Sequence, residues 1–216
     1  MYKIDEFIRN GEKAEKALVF IMHGYGADMH DLSSLHELFG EGVVSYSLNG
    51  PGVLPSPEGT IEGRAWFALS MGLYGIEYDV DDLDLAADAV IEFIIDKTKQ
   101  EDVSPNQVYL CGFSQGSSLV HKILLSRGDL IKGGMALSSR YVEEIFECGF
   151  DSEELKAKKL FLSHGKYDEM IPVDSGHQIR DFYQNNEIDF EYFEFNDGHT
   201  IPPKCGQKIK HWFKSL

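Results

Sequence analysis

The stretch Val108-Tyr109-Leu110-Cys111-Gly112-Phe113-Ser114-Gln115-Gly116-Ser117-Ser118-Leu119 carries a strand straight into a helix. Val108–Cys111 is apolar at every position, the mark of a strand buried on both faces. After Gln115 the apolar residues shift to helical spacing, at Leu119, Ile123 and Leu124. Between the two lies G-x-S-x-G, from Gly112 to Gly116, in the strand-to-helix context that this pattern needs. A tight turn there lifts the serine oxygen above the sheet edge, and small residues two before and two after it let the backbones pass closely. Ser114 also stands at a helix N-terminus, where unpaired backbone N–H groups can stabilise an oxyanion. Five residues match by chance often enough that a Gly-bounded turn with an ordinary N-cap serine is the plain alternative.

Outward from this point the chain alternates strand and helix. Ala17–Met22, Val43–Leu48, Met135–Leu137, Leu160–Ser163 and Phe190–Phe195 read as further strands. Helical spacing marks Asp31–Phe39, Asp82–Ile95, Val173–Asn185 and Lys204–Phe213, with Pro172 and Pro203 at tolerated first-turn places. The alternation predicts an α/β fold, a mainly parallel central sheet with helices on both faces. One compact domain over residues 1–216 is expected, since no linker, repeat or low-complexity tract divides the chain. Residues 49–79 break the rhythm, with glycines at 50, 52, 59, 63, 72 and 75 and prolines at 51, 55 and 57 beside Trp66, Phe67, Leu69, Met71, Leu73 and Tyr74. A connection of this length is more often functional than not. The plain alternative is that Trp66 and Phe67 patch the core.

A serine hydroxyl needs a base to take its proton, and the base needs a carboxylate to hold its ring. In this architecture the chain order is Ser, then Asp or Glu, then His. Asp168 follows the strand Leu160–Ser163, and His199 follows Phe190–Phe195, so with Ser114 all three reach the carboxyl edge of the sheet. His121, His177 and His211 fall within predicted helices, and His30 and His36 lie around the first one. His164 precedes Asp168 by four residues in one loop, which suits a supporting role better than that of base. Glu169 is the reserve for the acid, Asp197 sits too close to His199 to orient it, and Asp174 reads as a helix-start charge. For the oxyanion, the N–H of Gln115 is one donor and the N–H of Tyr25, in the glycine-spaced loop His23–Asp28 after an early strand, is the second. The plain reading of that loop is a Gly-rich turn. His23 lacks the spacing partner that a metal site requires, and no metal is expected.

With 20 Lys+Arg against 36 Asp+Glu in 216 residues, the net charge is −16 and no dense basic block appears, so nucleic acid is not an expected partner. The longest unbroken apolar run is Ala17–Met22, too short to span a bilayer, and residues 1–16 are too charged for a secretory signal. Three cysteines, Cys111, Cys148 and Cys205, without a CxxC pair, read as structural thiols of a reducing compartment, and the expected location is cytoplasmic. Monomer and homodimer both fit the sequence.

HGYGAD at 23–28, GFSQG at 112–116, HGKYDEMIP at 164–172 and GHTIP at 198–202 resemble the phospholipase/carboxylesterase family of α/β-hydrolases, which includes the acyl-protein thioesterases. The match runs from about residue 17 to the C-terminus. The resemblance implies an α/β-hydrolase fold with Ser114 as nucleophile, Asp168 as acid, His199 as base and the Tyr25 and Gln115 amides as oxyanion hole. The family carries Trp-Phe-Asp in its long loop beside the acyl pocket, where this chain has Trp66-Phe67-Ala68. Residues 49–79 are therefore expected to cover the acyl chain, with Trp66, Phe67, Met170 and Ile171 as pocket residues. The expected activity is a serine carboxylesterase acting on small acyl esters or thioesters without a cofactor. An acyl-protein thioesterase or lysophospholipase is the alternative, disfavoured because no amphipathic anchor or basic lipid patch is present. A catalytically silent binding protein and a peptidase on the same fold stand further back.

Overall fold

The computed structural model describes every residue except Met1, Pro57, Thr60, Leu73, Tyr74 and Cys148, and gives Met71, Gly72 and Gly75 as backbone. In chain order the strands are β1 (Phe7–Asn10), β2 (Ala17–Met22), β3 (Val43–Leu48), β4 (Gly52–Pro55), β5 (Ile61–Ala65), β6 (Leu69–Gly72), β7 (Gly75–Tyr78), β8 (Val108–Phe113), β9 (Gly133–Leu137), β10 (Lys159–Gly165) and β11 (Asp189–Phe195). The helices are α1 (His36–Phe39), α2 (Val80–Gln100), α3 (Gln115–Ser126), α4 (Glu143–Phe146), α5 (Ser152–Lys156), α6 (Val173–Asn185) and α7 (Pro203–Lys214).

Seven strands form the central sheet in the order β1-β3-β2-β8-β9-β10-β11. All pairs are parallel except β1 with β3. The middle strands are buried along their whole length because successive side chains feed two cores. Leu18, Phe20, Met22 and Leu110 point to one face, where they meet Leu83 and Val90 of α2, Leu119 and Ile123 of α3 and Ile179 of α6. Ala17, Val19, Ile21 and Cys111 point to the other, against Phe39 of α1 and Ile209, Trp212 and Phe213 of α7. This two-faced α/β-hydrolase arrangement agrees with the fully apolar strands of the sequence. Cys111 and Cys205 are buried free thiols, and Cys148 lies outside the described residues.

Four of the places that depart from the expected pattern bear on the fold. Residues 7–10, within a charged opening segment, form the antiparallel edge strand β1; only every second residue turns inward, so four residues give too short a signal. The expected helix at 31–39 is a 3-10 turn at Ser33–Leu35 and one turn of α1, ended by Gly40 at φ 86°. Residues 49–79 are two antiparallel hairpins, β4 with β5 and β6 with β7. The helix α2 runs longer than the expected 82–95: Asp79 caps its start by accepting from the Asp82 amide, and Lys97 and Lys99 stand in its last turn, where positive charge is favoured. Among the described residues no helix is long and apolar enough to cross a membrane.

Candidate active site

Ser114, Asp168 and His199 come from three loops that leave β8, β10 and β11 at the same sheet edge. His199 Nε2 lies 2.9 Å from Ser114 Oγ, and His199 Nδ1 lies 2.6 Å from Asp168 Oδ2. The other Asp168 oxygen, Oδ1, accepts from the backbone N–H groups of Met170 at 2.9 Å and Ile171 at 2.8 Å. Burial pushes the Asp168 carboxyl upward, but the His199 hydrogen bond and the Ile171 amide outweigh it and hold it below the ordinary carboxylate value. An ionised Asp168 makes His199 Nδ1 the donor and leaves Nε2 to accept from the serine hydroxyl. Such a chain can move a proton from hydroxyl to imidazole while the carboxylate balances the charge.

His164 supports this acid from behind. Its Nε2 donates to Ile171 O at 2.9 Å and stands 3.6 Å from Asp168 Oδ2, while burial lowers its pKa and keeps the ring neutral. Glu169 is exposed and makes no bond to His199 among the described residues, and Asp174 occupies the first turn of α6.

Ser114 itself has φ 54° and ψ −115°. This is glycine-like territory, entered because the turn must reverse the chain between β8 and α3. Gly112 and Gly116 make the reversal sterically feasible: a Cβ on Gly112 would meet Gly116 O at 2.2 Å, and one on Gly116 would meet Met22 O at 2.3 Å. The Ser114 amide donates to Leu137 O at 2.9 Å, tying the turn to β9.

The loop after β2 lies directly beside the serine, since a Cβ on Gly24 would approach Ser114 Cβ to 3.4 Å. Gly26 N–H donates to Arg64 O at 2.9 Å and Arg64 N–H to Ala27 O at 2.8 Å, which fasten the loop to β5. Gly50 N–H donates to His23 Nε2 at 3.0 Å, so His23 Nδ1 donates to Gly24 O at 2.7 Å. Burial lowers the His23 pKa, consistent with this neutral tautomer. The N–H groups of Tyr25 and Gln115 have no acceptor among the described residues, and both residues line the cleft that contains Ser114.

That cleft has a volume of about 410 Å³. Leu69, Ile76 and Tyr78 from the β6–β7 hairpin form one wall, Phe113, Met170 and Ile171 another, with Arg140 at the side. Trp66 and Phe67, expected as pocket residues, line no part of it. Both are buried, at 0% and 2% exposure, in the core beneath the site. Trp66 Nε1 donates to His23 O at 2.9 Å, Trp66 N–H donates to Gln115 Oε1 at 2.9 Å, and Gln115 Nε2 donates to Phe67 O at 2.7 Å. The aromatic pair thus clamps the loop after β2 and the turn after Ser114 to one another. A carboxylate does serve this segment, from elsewhere: Asp82 in the first turn of α2 accepts from the Ala68 amide at 2.7 Å. Leu69, Ile76 and Tyr78 fall within the expected cover of residues 49–79 without having been singled out, and Arg140 was missed. Leu69 opposite Tyr78 in a hairpin register was the available signal, obscured by the glycines between them.

With this geometry in place, comparison with known proteins is informative. The model of the family described as phospholipase/carboxylesterase matches residues 4–216. The chain belongs to this family of carboxylic ester hydrolases. It is 27% identical over 153 residues to carboxylesterase SOBER1 of Arabidopsis thaliana, covering 70% of this chain and 67% of that protein. It is 24% identical over 207 residues to acyl-protein thioesterase 1 of Kluyveromyces lactis, covering 88% and 84%. Matches to two further plant carboxylesterases span about half the length of those proteins. The crystal structure of a Bacillus cereus carboxylesterase superposes with a TM-score of 0.79 at 19% identity, over 97% of this chain and 93% of that one, a likeness of fold.

Proposed function

We propose that this member of the family is a serine carboxylesterase that cleaves small acyl esters through Ser114, His199 and Asp168. The observation that carries the reading is the continuous hydrogen-bond chain from Ser114 Oγ through His199 to Asp168 at the floor of an apolar cleft. Ser114 attacks the acyl carbonyl as His199 Nε2 takes its proton, and the Tyr25 and Gln115 amides receive the oxyanion. His199 then returns the proton to the departing alcohol or thiol. Water activated by the same imidazole cleaves the acyl-enzyme. The acyl chain lies against Leu69, Ile76 and Tyr78, so the β6–β7 hairpin acts as the cover and no cofactor takes part.

The second reading, an acyl-protein thioesterase, draws on the apolar walls and on the Kluyveromyces lactis relative. One experiment separates them: hydrolysis of p-nitrophenyl esters from acetate to palmitate, with matched thioesters, by wild type and Ser114→Ala. Turnover by wild type with loss of at least about 10³-fold in the variant is expected, with the optimum among short and medium oxygen esters. Residual activity in Ser114→Ala close to wild type would overturn the nucleophile assignment, and a palmitoyl thioester optimum would favour the second reading.

A further inference from the structure

Building on the ester-hydrolase reading, we infer that Arg140 is a specificity residue that anchors a carboxylate carried by the substrate. The chain has five arginines. Arg9 pairs with Glu101, Arg64 with Glu6, Arg127 with Asp129 and Arg180 with Asp181. Arg140 alone has no carboxylate within 4.0 Å among the described residues, in a protein with 36 Asp+Glu. It is also the one arginine that lines the cleft holding Ser114 and His199.

Its placement follows from the sheet. Leu137, the last residue of β9, accepts from the Ser114 amide, and the chain then turns at Ser138, with φ 52°, to bring Arg140 to the cleft wall two residues later. There the guanidinium lies 5.9 Å from the centre of the Tyr78 ring, a cation–π contact that orients it without using its N–H donors. Leu69, Ile76 and Met170 line the same cleft as Arg140 and the serine, an apolar surface that suits a short methylene chain. A half-buried, planar donor set beside an apolar lining matches a carboxylate in two-point contact. Past Arg140 the cleft opens into a larger groove of about 970 Å³ rimmed by Glu77, Glu143, Glu144, Glu169 and Asp174. These acids are exposed, so water and salt weaken their field at Arg140, whereas a second substrate charge in the groove would meet them with no arginine to offset it. The substrate class is therefore an ester with a single carboxylate on a short chain.

The carboxylate can sit on the acyl half or on the alcohol half, and two pairs of esters distinguish them. The acyl pair is p-nitrophenyl hydrogen glutarate against p-nitrophenyl valerate. The alcohol pair is 5-acetoxypentanoate against pentyl acetate, followed by base uptake. In each pair the ratio of kcat/KM, anionic over neutral, is measured on wild type, Arg140→Gln, Arg140→Lys and Arg127→Gln. Arg140→Gln is expected to lower the ratio about tenfold or more in one pair, which locates the carboxylate, and Arg140→Lys to lower it less. Arg127→Gln removes the same charge from a site outside the cleft and is expected to leave both ratios unchanged. If Arg140→Gln moves neither ratio beyond about twofold, or Arg127→Gln moves them equally, the anchor is overturned. Neutral-ester turnover through Ser114 with unmoved ratios sinks the anchor alone. Absence of turnover on every ester sinks the ester-hydrolase reading and the anchor together.

Discussion

Ser114 is held in a backbone conformation that a residue with a Cβ adopts at a cost of roughly 1–3 kcal/mol. The turn persists because Gly112, Gly116 and the bond to Leu137 O leave no other path. Ser114→Gly is therefore expected to be inactive and about 1 kcal/mol more stable than Ser114→Ala in urea unfolding. Equal stabilities would mean that the turn is unstrained. Gln115 makes a different demand, because its side chain and its amide have separate tasks. Gln115→Leu keeps the amide but strips the buried Trp66 N–H of its acceptor, at about 1–3 kcal/mol. Its kcat should fall more than its KM rises, since the two loops that carry the Tyr25 and Gln115 amides lose their common clamp. A variant with wild-type kcat would show that the clamp does not position them.

The hairpin β6–β7 is the element that turns a serine site into a pocket. Leu69 and Tyr78 face each other across its register, and both stand on the cleft wall with Ile76. Ile76→Ser should reduce kcat/KM for octanoate esters about fivefold more than for acetate, the value of about one methylene of apolar contact. Parallel loss on both esters would remove the hairpin from the acyl site. Trp66 and Phe67, by contrast, are core residues, so their truncation is expected to reduce activity on all esters together with stability. The strand β8 that leads to Ser114 was legible from composition, because a strand buried on both faces is apolar along its length; β11, which leads to His199, is a half-buried edge strand with Glu191 and Glu194 among its aromatic residues. The hairpins were not, because strands of four or five residues interrupted by Gly leave no periodic trace.

Across the fold, one buried histidine links stability to pH. His121 on α3 is fully buried, with Nδ1 2.7 Å from Tyr183 Oη on α6 and its ring beside Phe146. Burial pushes its pKa down to about 3. The unfolded imidazole takes a proton near the ordinary value of 6.5, which the folded one refuses until about pH 3. The stability this group contributes is therefore complete above about 6.5 and is lost as pH falls, by about 2 kcal/mol between pH 7 and pH 5. Urea unfolding of His121→Gln across this range should show a slope shallower by that share. His23 and His164, also buried and lowered, retain the remainder. An unchanged slope would show that His121 is not the titrating group.

The local pattern of residues was enough to establish the alternation of strand and helix, the serine turn, and the order Ser114, Asp168, His199 along one sheet edge. Each depends on spacing within a few residues, or on the rule that a parallel sheet gathers its loops at the carboxyl end. Which way a side chain finally faces was settled by contacts between distant segments. Trp66 was drawn inward by His23 and Gln115, 43 and 49 residues away in sequence. Arg140 lines the cleft with no carboxylate within 4.0 Å among the described residues, a property of distances in space that no stretch of sequence contains.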